Sequence, residues 1–169
     1  MSSVTGKTDG VAKDIIDYLT EVAKFYETEI KIHSGKRTPS ESANAVFNNW
    51  TNNLNRGQIY VVDTLPPDKR SELDNCYKIA KEDPKAKTSE KKKAEEDFLK
   101  TAAETIGMKT LHYKGRAVDI LKSNLTNDKM REAIKKAPMS ELSEPGCYHY
   151  QSPSAIGAVT EDKKRQWQK

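Results

Sequence analysis

Thr110-Leu-His-Tyr-Lys-Gly-Arg-Ala-Val-Asp119 is the stretch that decides the fold of this chain. Its glycine predicts a turn, and the apolar residues on either side of Asp119 predict a short strand after that turn. The imidazole of His112 and the carboxylate of Asp119 are side chains that a zinc ion accepts as ligands. The stretch therefore predicts a turn and a strand that carry two candidate metal ligands.

An amphipathic helix over Leu111–Leu125 is the alternative interpretation, and it would place the two candidate ligands two turns apart on one surface. Gly115 stands inside that span, and Val118 and Ile120 alternate with a polar residue, as side chains do on a strand. Both features favour the turn and strand over the helix.

Two other segments carry side chains suited to the same chemistry. Ser34-Gly-Lys-Arg-Thr-Pro39 lies upstream, and its Arg37 can hold a carbonyl or carboxylate through two hydrogen bonds or form an ordinary surface ion pair. Gly146-Cys-Tyr-His-Tyr150 lies downstream, and its His149 is either a third metal ligand or a packed or surface residue. His33, the remaining histidine, lies opposite the apolar residues of its predicted strand, so we expect it to be structural or exposed to solvent.

Together the three segments resemble the Hedgehog/D-Ala-D-Ala peptidase family of zinc peptidases. One block of that family reads roughly S-G-x-R-[ST]-P and a second reads [ST]-x-H-x-x-G-x-A-x-D, and this chain carries both without a gap. A third block supplies a last histidine near the C-terminus, and this chain carries it in altered form. The resemblance implies an α+β fold with a small antiparallel sheet flanked by helices, and a zinc ion held by His112, Asp119 and His149.

The resemblance also implies roles for the residues around the zinc ion. Three protein ligands leave the fourth zinc position for water, whose pKa the ion lowers toward about 7. Arg37 would bind a substrate carboxylate or stabilise the oxyanion that forms when water attacks a peptide carbonyl. Ser34, Thr110 and Tyr148 would line the same site and contact the substrate.

The general base is the point at which the chain departs from the family pattern. Many members have Glu or Asp three residues before the last histidine, and Gly146 takes that position here. Glu144 is the base that we favour, and Glu141 is the other nearby acid. Cys147 is either a buried neighbour or a group near the metal. If no acid reaches the water, the resemblance implies a catalytically inactive binding module that holds zinc and presents its helical insertion to a partner.

The patterns along the chain predict helices and strands without βαβ regularity, which indicates an α+β fold in one domain, 1–169. The stretch 58–108 is helical in pattern, and we interpret it as an insertion between the first two motifs. The predicted elements are a helix over Gly10–Glu27, a strand over Glu29–His33, a helix from Thr38 to about Asn53, the helical stretch 58–108, a strand within His112–Leu121, a helix over Thr126–Lys136 and a strand over Cys147–Gln151.

The charge of the chain does not favour a nucleic-acid-binding protein. The net charge is +4, with 29 basic and 25 acidic residues. The lysine run that begins at Lys91 is followed at once by acidic residues, which indicates a solvated helix face. A helical nucleic-acid-binding protein is a further alternative that rests only on the lysines near Lys91 and Lys163, and a basic face is what it would require.

Other site classes and targeting segments find no support in the sequence. Cys76 and Cys147 form neither a disulfide framework nor a Cys-x-x-Cys metal motif, and no His-Glu-x-x-His zincin motif or glycine-rich phosphate loop is present. No stretch is apolar and long enough to predict a signal peptide or a membrane span. We therefore expect synthesis in the cytoplasm.

The resemblance implies that the substrate is a bacterial peptidoglycan stem peptide. Two routes to the cell wall fit the expected lack of a signal peptide. The chain is either a phage endolysin released through a membrane pore or a toxin effector delivered by a secretion apparatus, for which the producer can carry an immunity protein. We expect a monomer. Cleavage of D,D, L,D or L-Ala-D-Glu bonds, by a carboxypeptidase or an endopeptidase, stays open.

Overall fold

The computed structural model describes residues 2–50, 65–137, 139–144 and 146–168. The chain divides into two compact units. Met1–Lys36 and Lys114–Lys169 form the sheet unit, and Arg37–Tyr113 forms the helical unit. The interpretation of 1–169 as one domain stays a prediction.

The described residues contain strands and helices in an α+β arrangement, as the sequence patterns predict. The strands are β1 (Ser3–Gly6), β2 (Glu29–Ser34), β3 (Ala117–Leu121), β4 (Ser140–Glu144) and β5 (Cys147–Gln151). The helices are α1 (Lys13–Phe25), α2 (Pro39–Asn48), α3 (Pro67–Tyr77), α4 (Thr88–Thr105), α5 (Asp128–Lys135) and α6 (Glu161–Trp167). The predicted helices near Gly10–Glu27 and Thr126–Lys136 are confirmed with shorter bounds.

The five strands of the described residues form one sheet in the order β1-β2-β3-β5-β4. β1 pairs with β2 in parallel, whereas the β2–β3, β3–β5 and β4–β5 pairs are antiparallel. The sheet is therefore mixed, and the expectation of an antiparallel sheet is wrong at the β1–β2 pair. The physical reason is the crossover through α1, which brings the chain back to start β2 beside β1 in the same direction.

Helices α1, α5 and α6 bury their apolar residues in one core with β2 and β3. Ile30 and Ile32 of β2 and Val118 and Ile120 of β3 are at most 1% exposed in this core. Successive side chains of a strand point to opposite faces of its sheet. Asp119, between the two core residues of β3, therefore lies on the face opposite to this core.

The helical unit has an aromatic core of its own. The ring of Phe98 in α4 meets those of Phe47 and Trp50 edge to face, with ring centres 4.9 and 5.1 Å apart. Such edge-to-face pairs stabilise a core beyond simple burial. The helical pattern predicted for 58–108 is confirmed in α3 and α4. The end of the helix predicted to reach Asn53 and the start of the stretch, 58–64, lie outside the described residues.

None of the helices in the described part of the chain is long and apolar enough to cross a membrane.

Candidate metal centre

The pairing of β3 with β5 brings together two of the three predicted metal ligands. Asp119 and His149 are direct partners in this antiparallel ladder, so their side chains point to the same face of the sheet. The imidazole Nδ1 of His149 lies 2.7 Å from Oδ1 of Asp119, which is a hydrogen-bond distance. Asp119 is only 4% exposed, and a buried carboxylate requires such a polar partner.

The pKa of His149 reflects this pairing. Burial of the imidazole lowers its pKa, whereas the hydrogen bond and the negative charge of Asp119 raise it. Gln151 and Glu144 also raise it, so the net pKa lies above the ordinary histidine value. The negative charge of Asp119 therefore favours the protonated form of the His149 imidazole.

Gln151 orients the His149 ring from the other side. Its Oε1 lies 3.1 Å from Nε2 of His149, and because an amide oxygen only accepts, Nε2 donates this hydrogen bond. Histidines that ligate a metal commonly donate their second ring N–H in this way. No motif of the sequence marks Gln151, although its position two residues after His149 on a predicted strand places it on the same face.

Glu144, the favoured general base, lies on the same sheet face as His149. It is the register partner of Cys147 in the β4–β5 ladder. The thiol of Cys147 donates to Oε2 of Glu144 over 3.7 Å. Ligand atoms of Asp119, Glu144 and Cys147 all lie within 4.8 Å of one another. The strand pairing thus places Glu144 beside the carboxylate of a predicted ligand despite its irregular spacing in the sequence.

The sheet does not bring Glu141 or Tyr148 to His149. Arg131 donates to Oε1 of Glu141 over 2.8 Å, and the Tyr150 hydroxyl donates to Oε2 over 2.6 Å. The Arg131 guanidinium carbon also lies 3.9 Å from the centre of the Tyr148 ring. Strand alternation puts both residues on the face opposite to the imidazole of His149. The predicted substrate contact of Tyr148 stays a prediction, and its ring packs against Arg131.

His112 lies in the turn Leu111–Gly115 and is 5% exposed. The hydroxyl of Thr110 accepts a hydrogen bond from the Tyr113 N–H over 3.1 Å and lies 3.2 Å from the Ser42 hydroxyl. Thr110 therefore shapes the turn that presents His112, in the way that threonine hydroxyls often stabilise turns. Its predicted contact with substrate stays a prediction.

Glycine is required at the end of this turn. Gly115 has a positive φ of 70°, and a Cβ atom there would overlap the carbonyl oxygen of Gly10. The Gly115 carbonyl oxygen accepts a hydrogen bond from the Ala12 N–H over 2.8 Å. This close approach of two backbone segments fixes where β3 begins, two residues later, and therefore where Asp119 stands.

The Ser34–Pro39 motif lies beside two of the predicted metal ligands. Ser34, at the end of β2, is the register partner of Asp119. The backbone N–H of Arg37 donates to the His112 carbonyl oxygen over 3.2 Å. Directly after Arg37, Thr38 caps α2 through a capping box. The motif thus carries one residue beside each of two predicted ligands, while the proposed roles of the Ser34 and Arg37 side chains stay predictions. His33 is exposed, as predicted.

The three predicted ligands have the chemistry and spacing of a metal site. Ligand atoms of His112, Asp119 and His149 all lie within 4.8 Å of one another. Two imidazoles and a carboxylate suit zinc, and adjacent ligand atoms around a tetrahedral zinc ion are about 3.3 Å apart. The three side chains, named the histidine site below, could therefore hold a metal ion after small side-chain adjustments.

No protein-family model, curated protein or solved structure matches this chain. The resemblance of its three motifs to a peptidase family therefore stays a prediction.

Proposed function

We propose that the protein is a zinc-dependent peptidase that hydrolyses bacterial peptidoglycan stem peptides, with the fold of the Hedgehog/D-Ala-D-Ala peptidase family. The observation that carries the proposal is the convergence of His112, Asp119 and His149, which come from two motifs separated in the sequence. The resemblance of the motifs to that family supports the choice of zinc and of a peptide substrate.

The reaction is addition of water to a peptide carbonyl, after which the C–N bond breaks. Zinc, when bound, supplies a Lewis acid that polarises the carbonyl and lowers the pKa of a water molecule. Glu144 accepts the proton of the attacking water and then gives it to the departing amine. Its place on the His149 face of the sheet supports this role, whereas the carboxylate of Glu141 is held by Arg131 and Tyr150 on the other face.

Arg37 is proposed to bind the negatively charged part of the substrate. Its guanidinium would bind a terminal carboxylate or the oxyanion with two hydrogen bonds. The hydrogen bond from its backbone to the His112 carbonyl oxygen supports the role, because it fixes Arg37 beside a ligand-bearing turn. Ser34 and Thr110 are proposed to line the same site, whereas Tyr148 packs against Arg131 on the opposite face of the sheet and has no part in this proposal.

The cell wall is the proposed place of action. The mild positive charge of the chain favours approach to an anionic polymer. We propose that a monomer reaches the wall either as a released phage endolysin or as an effector delivered by a secretion apparatus, with an immunity protein as partner in the second case.

Mass spectrometry of purified muropeptides after incubation with the zinc-loaded protein tests the proposal. We expect new fragments whose masses identify the cleaved bond, and no fragments with a Glu144→Gln control. Binding of muropeptides without any new fragment would instead support the inactive zinc-holding module. The absence of both binding and cleavage would reject peptidoglycan as the substrate.

A further inference from the structure

A second group of potential ligands adjoins the histidine site within the sheet unit. Glu144 and Cys147 are register partners across β4 and β5, and Cys147 is two residues before His149, so it shares that residue's face. Their ligand atoms and a carboxylate oxygen of Asp119 all lie within 4.8 Å of one another. We name Asp119, Glu144 and Cys147 the cysteine site.

The spacing of this group matches a coordination shell. With zinc-to-sulfur and zinc-to-oxygen distances of about 2.3 and 2.1 Å, neighbouring sulfur and oxygen ligands of a tetrahedral ion are about 3.6 Å apart. The thiol of Cys147 and Oε2 of Glu144 are 3.7 Å apart. A cation could therefore replace the thiol proton between them with almost no movement of either side chain.

We propose that Asp119, Glu144 and Cys147 bind a second divalent cation beside the histidine site. A thiolate with two carboxylates selects borderline or soft cations such as zinc, cobalt and cadmium over magnesium or calcium. The Asp119 carboxylate has two oxygens and about four lone-pair directions, so it can serve both sites. On binding, Cys147 loses its proton to solvent and forms one metal–sulfur bond, with no change of oxidation state.

A cation at the cysteine site inhibits the peptidase, and this consequence alone depends on the proposed function. The carboxylate of Glu144 cannot accept a proton from water while its lone pair is donated to a metal ion. Excess cation would therefore slow hydrolysis. The Cys147→Ser variant would need a higher cation concentration for the same inhibition, because it lacks the thiolate.

Cobalt titration of the intact protein tests the site without any need for activity. A cobalt–thiolate bond gives a ligand-to-metal charge-transfer absorption that imidazole and carboxylate ligands do not give. We expect this absorption in the native protein and its loss in Cys147→Ser. Glu144→Gln keeps the thiol but loses a carboxylate ligand, so we expect at least about tenfold weaker cobalt binding at this position, the lower end of the effect of losing a ligand's supporting partner.

Two control variants distinguish the cysteine site from cobalt–thiolate binding at Cys76 and from cobalt bound only at the histidine site. Cys76, the other cysteine of the chain, lies in the helical unit, and Cys76→Ser should leave the absorption unchanged. His112→Ala removes a ligand of the histidine site only and should also keep it.

Absence of the thiolate absorption in native protein that still binds zinc would overturn the cysteine site and leave the proposed function standing. Loss of the absorption in His112→Ala would also overturn it, because Cys147 would then ligate the ion of the histidine site. An absorption that disappears with Cys76 instead would place the thiolate elsewhere and overturn it as well. If the Cys147→Ser variant fails to fold, the cobalt titration of Glu144→Gln decides whether the cysteine site binds a cation.

Discussion

Asp119 and His149 stand directly opposite each other across β3 and β5, with Oδ1 of the carboxylate 2.7 Å from Nδ1 of the imidazole. Both residues are held by backbone pairing on neighbouring strands, and Gln151 fixes the second ring nitrogen. Side chains built on rigid strands and oriented by neighbours keep their geometry better than side chains on loops. The sheet itself therefore positions two of the three ligands of the histidine site.

His112→Ala should remove zinc from the histidine site. Loss of a hydrogen-bond partner of a metal ligand already costs 10–100-fold in affinity, so loss of a ligand should cost at least about 100-fold. Competition with a chromogenic zinc chelator measures the change.

The matched control for this variant is His33→Ala, since His33 is exposed and lies on β2. We expect its zinc affinity to equal that of the native protein. Native affinity in His112→Ala would reject the assignment of this ligand.

Gln151→Leu should weaken zinc binding by about 10–100-fold, because the His149 Nε2 loses its acceptor and the ring loses its fixed orientation. Gln151→Glu offers a carboxylate oxygen at the same position and should retain most of the affinity. The ratio of the two zinc affinities, measured by chelator competition, checks the orienting role. Equal losses in both variants would indicate a general disturbance of β5 instead.

Glu144→Gln should keep zinc at the histidine site while the rate of muropeptide hydrolysis falls by about 10²–10⁴-fold, the usual cost of losing a general base. Quantitative mass spectrometry of the products measures the rate.

Glu141→Gln is the comparison for that experiment. It weakens the contacts of Glu141 with Arg131 and Tyr150, so we expect a lower melting temperature with a nearly native rate. An unchanged rate in Glu144→Gln together with a large loss in Glu141→Gln would transfer the role of base to Glu141.

Arg37→Ala should raise the substrate concentration needed for hydrolysis, lower the maximal rate, or both, while zinc affinity stays native. Lysine at this position keeps the charge but lacks the planar pair of donors, so Arg37→Lys should restore activity only in part. Steady-state kinetics on a defined stem peptide checks both variants. Native kinetics in Arg37→Ala would contradict its role and weaken the family resemblance, since Ser34–Pro39 carries much of it.

Sequence patterns predict the parts of the fold whose side chains alternate or repeat. The buried isoleucines of β2 alternate with polar residues, and Val118 and Ile120 of β3 stand on either side of Asp119, so both strands are predictable. β1 and β4 are short and polar, Ser-Val-Thr-Gly and Ser-Glu-Leu-Ser-Glu. They are strands because a neighbouring strand supplies hydrogen bonds, which no local pattern reports.

The candidate site likewise has parts that the sequence predicts and parts that depend on strand pairing. Motifs single out His112, Asp119 and His149, but the face on which a residue stands depends on strand register. That register separates Glu144 from Glu141 and brings Cys147 to the carboxylate of Asp119. Gln151 shares the face of His149 on the predicted strand Cys147–Gln151, but no motif marks it as a partner of that histidine.

Asp14→Asn should reduce stability at neutral pH by about 1–3 kcal/mol, because Asp14 accepts charge-assisted hydrogen bonds from Arg116 and from the Ile156 N–H. Burial raises the pKa of Asp14, but Arg116 and the backbone donors lower it by more, so its folded-state pKa lies below the ordinary value. Urea unfolding at a series of pH values measures the effect.

The sign of the pH dependence follows from that lowered pKa. The ionised carboxylate stabilises the fold above the unfolded-state pKa of about 3.9, and this stabilisation is lost as the pH falls through the lower folded-state pKa. The free energies of unfolding of the native and Asp14→Asn proteins should therefore differ most at neutral pH and approach each other as the pH falls below about 4. Asp17→Asn is the control, because Asp17 forms an ion pair with Lys13 in which the side chains are 58% and 87% exposed, and such exposed pairs contribute little. A difference between native and Asp14→Asn that stayed constant down to acid pH would show that packing, rather than the charge on Asp14, joins α1 to the segments that hold Arg116 and Ile156.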